Sequence, residues 1–296
     1  MERIIKAFDA KMLSSSHINF LFGSGINGKA FPQTKNFTET IKLLESIIKR
    51  SVINYEVDLA SVDLKKDRTR IHNSFKREYA RFSNKIDYNH PDIIDIKKLF
   101  ENTNLIIQEA ENRTITMKQV NIYTLNYDDI VERVLLSLGF LSNTISSSNI
   151  DNHDKFFNMI GYDYGLKRYT PTYLLSKIHG DIKDAALPGE EKYDDVLTSK
   201  KFELFFKMKS QLSRSNSVLF VIGYSGGDRH VNRILKDCIV SGLTVYWFRY
   251  DNNQKIPDEL NDSVYIVNQE NDKNPVNSSI TCSKMLRESW DTKLEE

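Results

Sequence analysis

The sequence predicts an α/β fold built on a doubly wound parallel sheet, on three observations. Apolar, β-prone runs recur along the chain and alternate with stretches of helical periodicity. One of the clearest, Leu243–Phe248, is apolar at every position but Thr244, the pattern of a strand buried on both faces. Four runs then stop abruptly in glycine or in residues able to do chemistry. Ile18–Phe22 runs into Gly23-Ser24-Gly25, Asn121–Leu125 into Asn126-Tyr127-Asp128, Lys177-Ile178 into His179-Gly180-Asp181, and Val218–Ile222 into Gly223-Tyr224-Ser225-Gly226-Gly227-Asp228. In an open parallel sheet ligands bind beyond the carboxyl ends of the strands. Four such ends, two of them glycine-rich, point to a nucleotide site.

The elements follow in order. After the first strand, Phe37, Ile41, Leu44, Ile47 and Ile48 are spaced for a crossover helix over 37–49. From Asp67 to Glu111 the chain is charged and helical, with Phe75, Tyr79, Phe82, Ile93, Ile96, Leu99 and Phe100 on inner faces and a break at Asn89-His90-Pro91. This reads as a helical insertion of two or more helices. Asp128–Leu138 reads as a helix with Asp128 or Asp129 at its N-terminus, where a carboxylate meets free backbone donors. Ser142–Asp154 and Ala185–Asp195 read as surface loops, placed to act as lids, and Ser199–Ser213 as a helix. Asp228–Val240 is amphipathic, with Val231, Ile234, Leu235 and Ile239 inward and Asp228 as its cap. Ser263–Val267 is a last short strand, and the tail holds one weak helix near Cys282–Trp290.

Bulk composition excludes several classes. The 296 residues suffice for one large α/β domain or two modest ones, and 41 Lys and Arg nearly cancel 40 Asp and Glu, so no nucleic-acid-coating surface is indicated. Two cysteines, Cys238 and Cys282, cannot make a four-thiolate zinc site and read as reduced core thiols. Met1–Leu13 lacks the apolar segment and cleavage site of a signal peptide, and no apolar run nears the roughly 20 residues that span a bilayer, so the chain reads as cytoplasmic.

Gly23-Ser24-Gly25-Ile26-Asn27-Gly28 has the GxGxxG spacing that lets backbone amides approach a pyrophosphate, although Gly23 and Gly25 suit a plain βα turn equally well. Gly28-Lys29 is followed by Ala30, which disfavours a Walker-type site and magnesium-dependent phosphoryl transfer. His179 offers an imidazole that titrates near working pH and both accepts and donates protons. Its bland alternative is a buried structural histidine; that of Asn126 is a helix cap. Arg229 and His230 read as solvated helix residues. Tyr127 and Tyr224 read as packing residues with their hydroxyls bonded at the rim.

Gly23-Ser24-Gly25 with Phe31-Pro32, Thr124–Asp128, Ile178–Asp181, and Gly223-Tyr224-Ser225 with Asp228 occur in the order seen in sirtuin-like proteins. Over about Asn19–Phe248 the chain resembles the sirtuin-like domain of bacterial antiphage NAD hydrolases. The resemblance implies a Rossmann-like sheet in a single NAD-binding domain over 1–296, with 67–111 as its helical insertion and 251–296 as a C-terminal extension. It implies that Gly23, Ser24 and Gly25 bind the NAD pyrophosphate and that Asn126 bonds the nicotinamide-side ribose or the attacking water. His179 becomes the general base or a ribose contact, and Gly223 and Ser225 meet the adenosine half. Arg249 lies near adenine or its ribose. Asp128, first a capping residue, joins the cofactor-binding set.

The sequence departs from the deacylating sirtuins. Their zinc-binding cysteine quartet is missing, Gly180–Asp184 stands where they clamp an acyl-lysine peptide, and an arginine expected near Phe31-Pro32-Gln33 is absent. The expected function is therefore an NAD+ glycohydrolase, releasing nicotinamide and ADP-ribose through Asn126 and His179 and depleting NAD+ in antiphage defence. It needs no cofactor and no metal; NAD+ is the substrate, and preference over NADP is left open. The alternative is a sensor or scaffold that binds NAD or ADP-ribose without turnover, with protein deacylation or ADP-ribosylation third. Partners implied are further copies of the chain or a separately encoded sensor or ATPase subunit, with no membrane and no direct nucleic-acid contact.

Overall fold

The computed structural model describes residues 2–53, 55–109, 118–146, 161–163, 168–182, 200–271, 273 and 275–295. The strands are β1 (Arg3–Ile4), β2 (His17–Phe22), β3 (Gln119–Thr124), β4 (Leu141–Ile145), β5 (Gly161–Asp163), β6 (Arg168–Thr170), β7 (Thr172–Lys177), β8 (Ser217–Ile222), β9 (Thr244–Phe248) and β10 (Tyr265–Val267). Eight form one sheet in the order β1-β10-β9-β8-β2-β3-β7-β4, and each neighbouring pair is parallel. β5 and β6 make a separate antiparallel pair. The helices are α1 (Ala10–Ser15), α2 (Thr38–Ile48), α3 (Tyr55–Ala60), α4 (Lys65–Ser83), α5 (Pro91–Glu109), α6 (Ile130–Ser137), α7 (Lys200–Leu212), α8 (Arg229–Val240), α9 (Asp258–Asn261) and α10 (Ser278–Glu295).

Successive side chains of a strand point to opposite faces, and here both faces are apolar. Phe20, Phe22, Ile122, Leu175, Phe220 and Ile222 join one core with Ile96, Leu99 and Phe100 of α5 and Cys282, Met285 and Leu286 of α10. Phe100 meets both Phe20 and Phe22 edge-on, with ring centroids 6.1 Å apart in each case. Leu21, Tyr123, Leu174, Leu219, Val221 and Trp247 join the other core with Leu204 and Met208 of α7 and Val231 and Leu235 of α8. Helices thus cover both faces, which makes the fold a doubly wound, Rossmann-like sheet. Burying each Phe or Leu fully contributes about 1.5–3 kcal/mol. One polar pair interrupts the second face: Asn121 donates to Asn19 Oδ1 at 2.9 Å, and Asn19 donates to the Val218 carbonyl at 3.0 Å. These bonds cross β3, β2 and β8, and a one-residue slip of either pairing would break them.

Two expectations change. Residues 142–145 were expected in a loop, but Leu141–Ile145 pairs in parallel with β7 from Leu141↔Thr172 to Ile145↔Ser176. β4 is the last strand of the sheet, so its side chains need not be apolar. The rest of that segment from 147 onward, like Ala185–Asp195, lies outside the described residues. The C-terminal helix is also longer than Cys282–Trp290, running from Ser278 to Glu295, where Asn277 Oδ1 accepts the Ser279 N–H at 3.1 Å at its start. Elsewhere the boundary at Pro91 falls where proline serves as a first helical residue, since its missing N–H is one the helix leaves unbonded.

Where β2 and β8 end, their loops touch. Gly25 donates its N–H to the Gly223 carbonyl at 2.9 Å. A Cβ on Gly23 would stand 2.4 Å from Gly223 O, and one on Gly25 would stand 2.8 Å from Gly223 Cα. Gly223 has φ +67°, and a Cβ there would lie 2.2 Å from Ile26 N. Gly223→Ala is therefore expected to lower stability by about 2 kcal/mol or more, adding the left-handed penalty to the clash. The urea midpoint measures it, and an unchanged midpoint would show that the loops separate easily.

Candidate functional site

Strand register decides which residues meet. Phe22 pairs with Thr124 on one side and Ile222 on the other, and Thr124 pairs with Lys177. The last paired residues therefore stand in one row, and the residues just beyond it gather at one edge of the sheet. Gly23, Ser24, Asn126, Asp128, His179, Gly223, Ser225 and Asp228 all line a single cleft of about 450 Å³. Its second wall comes from the segment after the glycine turn and from α3 and α4, which bring Phe31, Tyr55, Phe75 and Tyr79. Tyr127 stands between the two, its ring 6.0 Å from Tyr79 and 6.5 Å from His179. One half of the cleft is thus polar and the other aromatic.

Asn126 is held at both ends. Its N–H donates to Thr124 Oγ1 at 3.1 Å, and its side-chain Nδ2 donates to the Gly23 carbonyl at 3.2 Å. That second bond ties the β3 loop to the glycine turn. His179 follows β7 by two residues, is 9 % exposed, and places Nε2 2.8 Å from Asp228 Oδ2.

Beneath these groups lies a buried charge network. Lys177 is 3 % exposed and donates to the carbonyls of Tyr127 at 3.2 Å and Asp128 at 2.5 Å and to Glu132 Oε1 at 2.8 Å. Asp128 accepts from Asn27 Nδ2 at 2.6 Å through one oxygen and from the Ile130 N–H at 3.2 Å through the other. Burial raises the Asp128 carboxyl above its ordinary value, against the opposing pull of Lys177 and the Asn27 bond. Burial raises Glu132 likewise, again against Lys177. Asn27 is 2 % exposed and lines the cleft, and its Oδ1 has no hydrogen-bond partner among the described residues.

Seven expected site residues come together at the cleft: Gly23, Ser24, Asn126, Asp128, His179, Gly223 and Ser225. Gly25 stands behind them, supporting the turn through Gly223. Arg249 is placed elsewhere. It is 5 % exposed, forked onto Glu2 at 3.1 and 2.6 Å, and 3.3 Å from Asn268 Oδ1, which ties the N-terminal segment to the sheet edge rather than reaching the cleft. Tyr224 is also corrected: its hydroxyl is not at the rim but buried against the Asp228 backbone and Asn232. Asp228 caps α8 as expected, and its second carboxylate oxygen was not foreseen. Lys177 was not foreseen either, although a lysine inside a strand reading Thr-Tyr-Leu-Leu-Ser-Lys signals a paired buried cation. Lys35 supplies the only Lys or Arg among the described residues lining the cleft.

Residues 120–266 match the family model described as SIR2-like domain. The chain carries a SIR2-like domain. The matched segment holds Asn126, His179, Gly223 and Ser225, while the Gly23–Gly25 turn precedes it. The chain is similar to a solved structure presented as "Structural Basis for the Mechanism and Regulation of Sir2 Enzymes", at 12 % identity and TM-score 0.49 over 96 % of each chain. It is similar also to Sir2Tm bound to a propionylated peptide, at 11 % identity and TM-score 0.47 over 97 % of each chain. No match was found among curated proteins. Among the described residues no helix is long and apolar enough to cross a membrane.

Asp128 gives a pH test. An acid raised in the folded state holds its proton more tightly there than in the unfolded chain. The stability this contributes is complete below the ordinary value of 3.8 and is lost as pH rises through the raised one. Asp128→Asn never ionises and escapes that loss. Its stability relative to the parent is expected to improve as pH rises from about 4 to about 7. Urea midpoints across that range measure it; a pH-independent difference would contradict it.

Proposed function

We propose that this SIR2-like domain is an NAD+ glycohydrolase, cleaving NAD+ with water to nicotinamide, ADP-ribose and a proton. The observation that carries the reading is the meeting of Asn126 and His179 in one cleft with the Gly23–Ser24 turn and with Gly223 and Ser225. The cleft volume of about 450 Å³ lies within the range of ligand sites. A carboxamide also suits its buried end, because Asn27 Oδ1 is an acceptor in need of a donor and Asp128 lies against the same side chain.

Each residue then has a task. The backbone at Gly23 and Ser24 carries the pyrophosphate, with Lys35 at the same cleft to offset its charge. The aromatic wall of Phe31, Tyr55, Phe75 and Tyr79 shields the planar nicotinamide ring and excludes bulk water. As the bond from the ribose anomeric carbon to the pyridinium nitrogen breaks, its electron pair leaves with nicotinamide, which departs neutral. Positive charge develops on the ribose, and a water held by Asn126 adds to it. His179 accepts the water's proton. Gly223 and Ser225 meet the adenosine half.

The resemblance to antiphage NAD hydrolases extends the reading to an effector that depletes NAD+ in infected cells. Such an activity requires restraint in healthy ones, by assembly of several copies or by a separately encoded sensor or ATPase subunit.

Product chromatography after incubation with NAD+ tests the chemistry. The parent chain is expected to yield nicotinamide and ADP-ribose, with His179→Ala and Asn126→Ala each slower by about 100-fold or more. Turnover undiminished in both variants would sink the assignment. So would intact NAD+ in the parent reaction.

A further inference from the structure

Asp228 does more than its position at the start of a helix requires. Its Oδ1 accepts the backbone N–H groups of His230 at 2.8 Å and Val231 at 3.2 Å, which caps α8. Its Oδ2 lies 2.8 Å from His179 Nε2, and the two side chains are only 8 % and 11 % exposed. The residue itself is fixed from below. The Tyr224 hydroxyl accepts the Asp228 N–H at 3.0 Å and faces the Asp228 carbonyl at 3.0 Å and Asn232 Oδ1 at 2.9 Å, either of which takes its proton. Asn232 Nδ2 in turn donates to the Gly226 carbonyl at 2.8 Å.

We propose that Asp228 is the positioning residue of a His179–Asp228 dyad and sets the imidazole tautomer for work at the cleft. This rests on the reading of His179 as the proton acceptor. An ionised carboxylate only accepts hydrogen bonds, so Nε2 carries the proton and Nδ1 carries the lone pair. When Nδ1 takes a proton from water, the positive charge of the ring is met by a carboxylate already in place, and no group has to reorient. Two separate oxygens serve the helix and the histidine, so the cap and the dyad coexist on one side chain.

Two substitutions separate these jobs. Asp228→Asn keeps Oδ1 as the cap acceptor but turns an amide N–H toward His179, so Nε2 must accept and the proton moves to Nδ1. Asp228→Ser keeps a capping oxygen and removes the partner. Nitrogen NMR of the His179 ring in the full chain, at a pH where the ring is neutral, is expected to show the proton on Nε2 in the parent and on Nδ1 in Asp228→Asn. In the NAD+ assay Asp228→Asn is expected to lose kcat by about 100-fold or more with KM changed less than about threefold. A cap alone predicts unchanged kcat in both variants. A parent ring protonated on Nδ1, or an Asp228→Asn kcat equal to the parent's, overturns the proposal. The ring spectrum is read without NAD+, so it decides the dyad even where the hydrolase reading fails, and the parent spectrum suffices where a variant does not fold.

Discussion

Two neighbouring strands deliver their loops to the same point only when nothing projects between them. At the ends of β2 and β8 this is met by Gly23, Gly25 and Gly223, where each added Cβ would come within 2.8 Å of backbone. The contact brings Ser24 and Ser225 to one cleft, and the Gly23 carbonyl, which accepts the Ile26 N–H at 3.2 Å, also receives Asn126. From there the β3 loop is fixed, and β7, paired with β3, carries His179 to the same edge. The site is therefore a consequence of backbone approach first and of side-chain chemistry second.

The second support is electrostatic. Lys177 closes β7 two residues before His179, and its ammonium holds the carbonyls of Tyr127 and Asp128 just beyond β3. One cation thus fastens the loop that bears Asn126 to the strand that bears His179. Burying it is tolerable because Glu132 and two carbonyls satisfy its three donors. Their own burial disfavours the charged forms of Asp128 and Glu132, and the nearby ammonium opposes that shift. Asn126 and His179 stand on the resulting platform without carrying that burden.

The sheet was legible because its inner strands are buried on both sides, so their sequences are largely apolar and end where the backbone turns. β4 was not, because Ser142, Asn143 and Thr144 lie at an edge where polar residues are tolerated. The meeting of Asn126 with His179 followed from their places at strand ends, which register converts into proximity. What stayed hidden were contacts between residues far apart in sequence: Asp228 with His179, Lys177 with Glu132, Asn27 with Asp128. A cap signal is local and shows at Asp228, whereas its second oxygen finds a partner 49 residues away. Arg249 failed for the same reason in reverse, its placement after β9 being legible and its partner Glu2 not. The aromatic wall was read as helix packing, since Phe75 and Tyr79 show the spacing of any inward helical face.

Structure determination of His179→Ala with NAD+ tests most directly the claim that this sheet edge is the reaction site. The account predicts the pyrophosphate along the Gly23–Ser24 backbone and the nicotinamide riboside between Asn126 and position 179, with the nicotinamide ring against Tyr79 and Tyr127. NAD+ bound away from these residues, or with its adenine in the aromatic half, would contradict it.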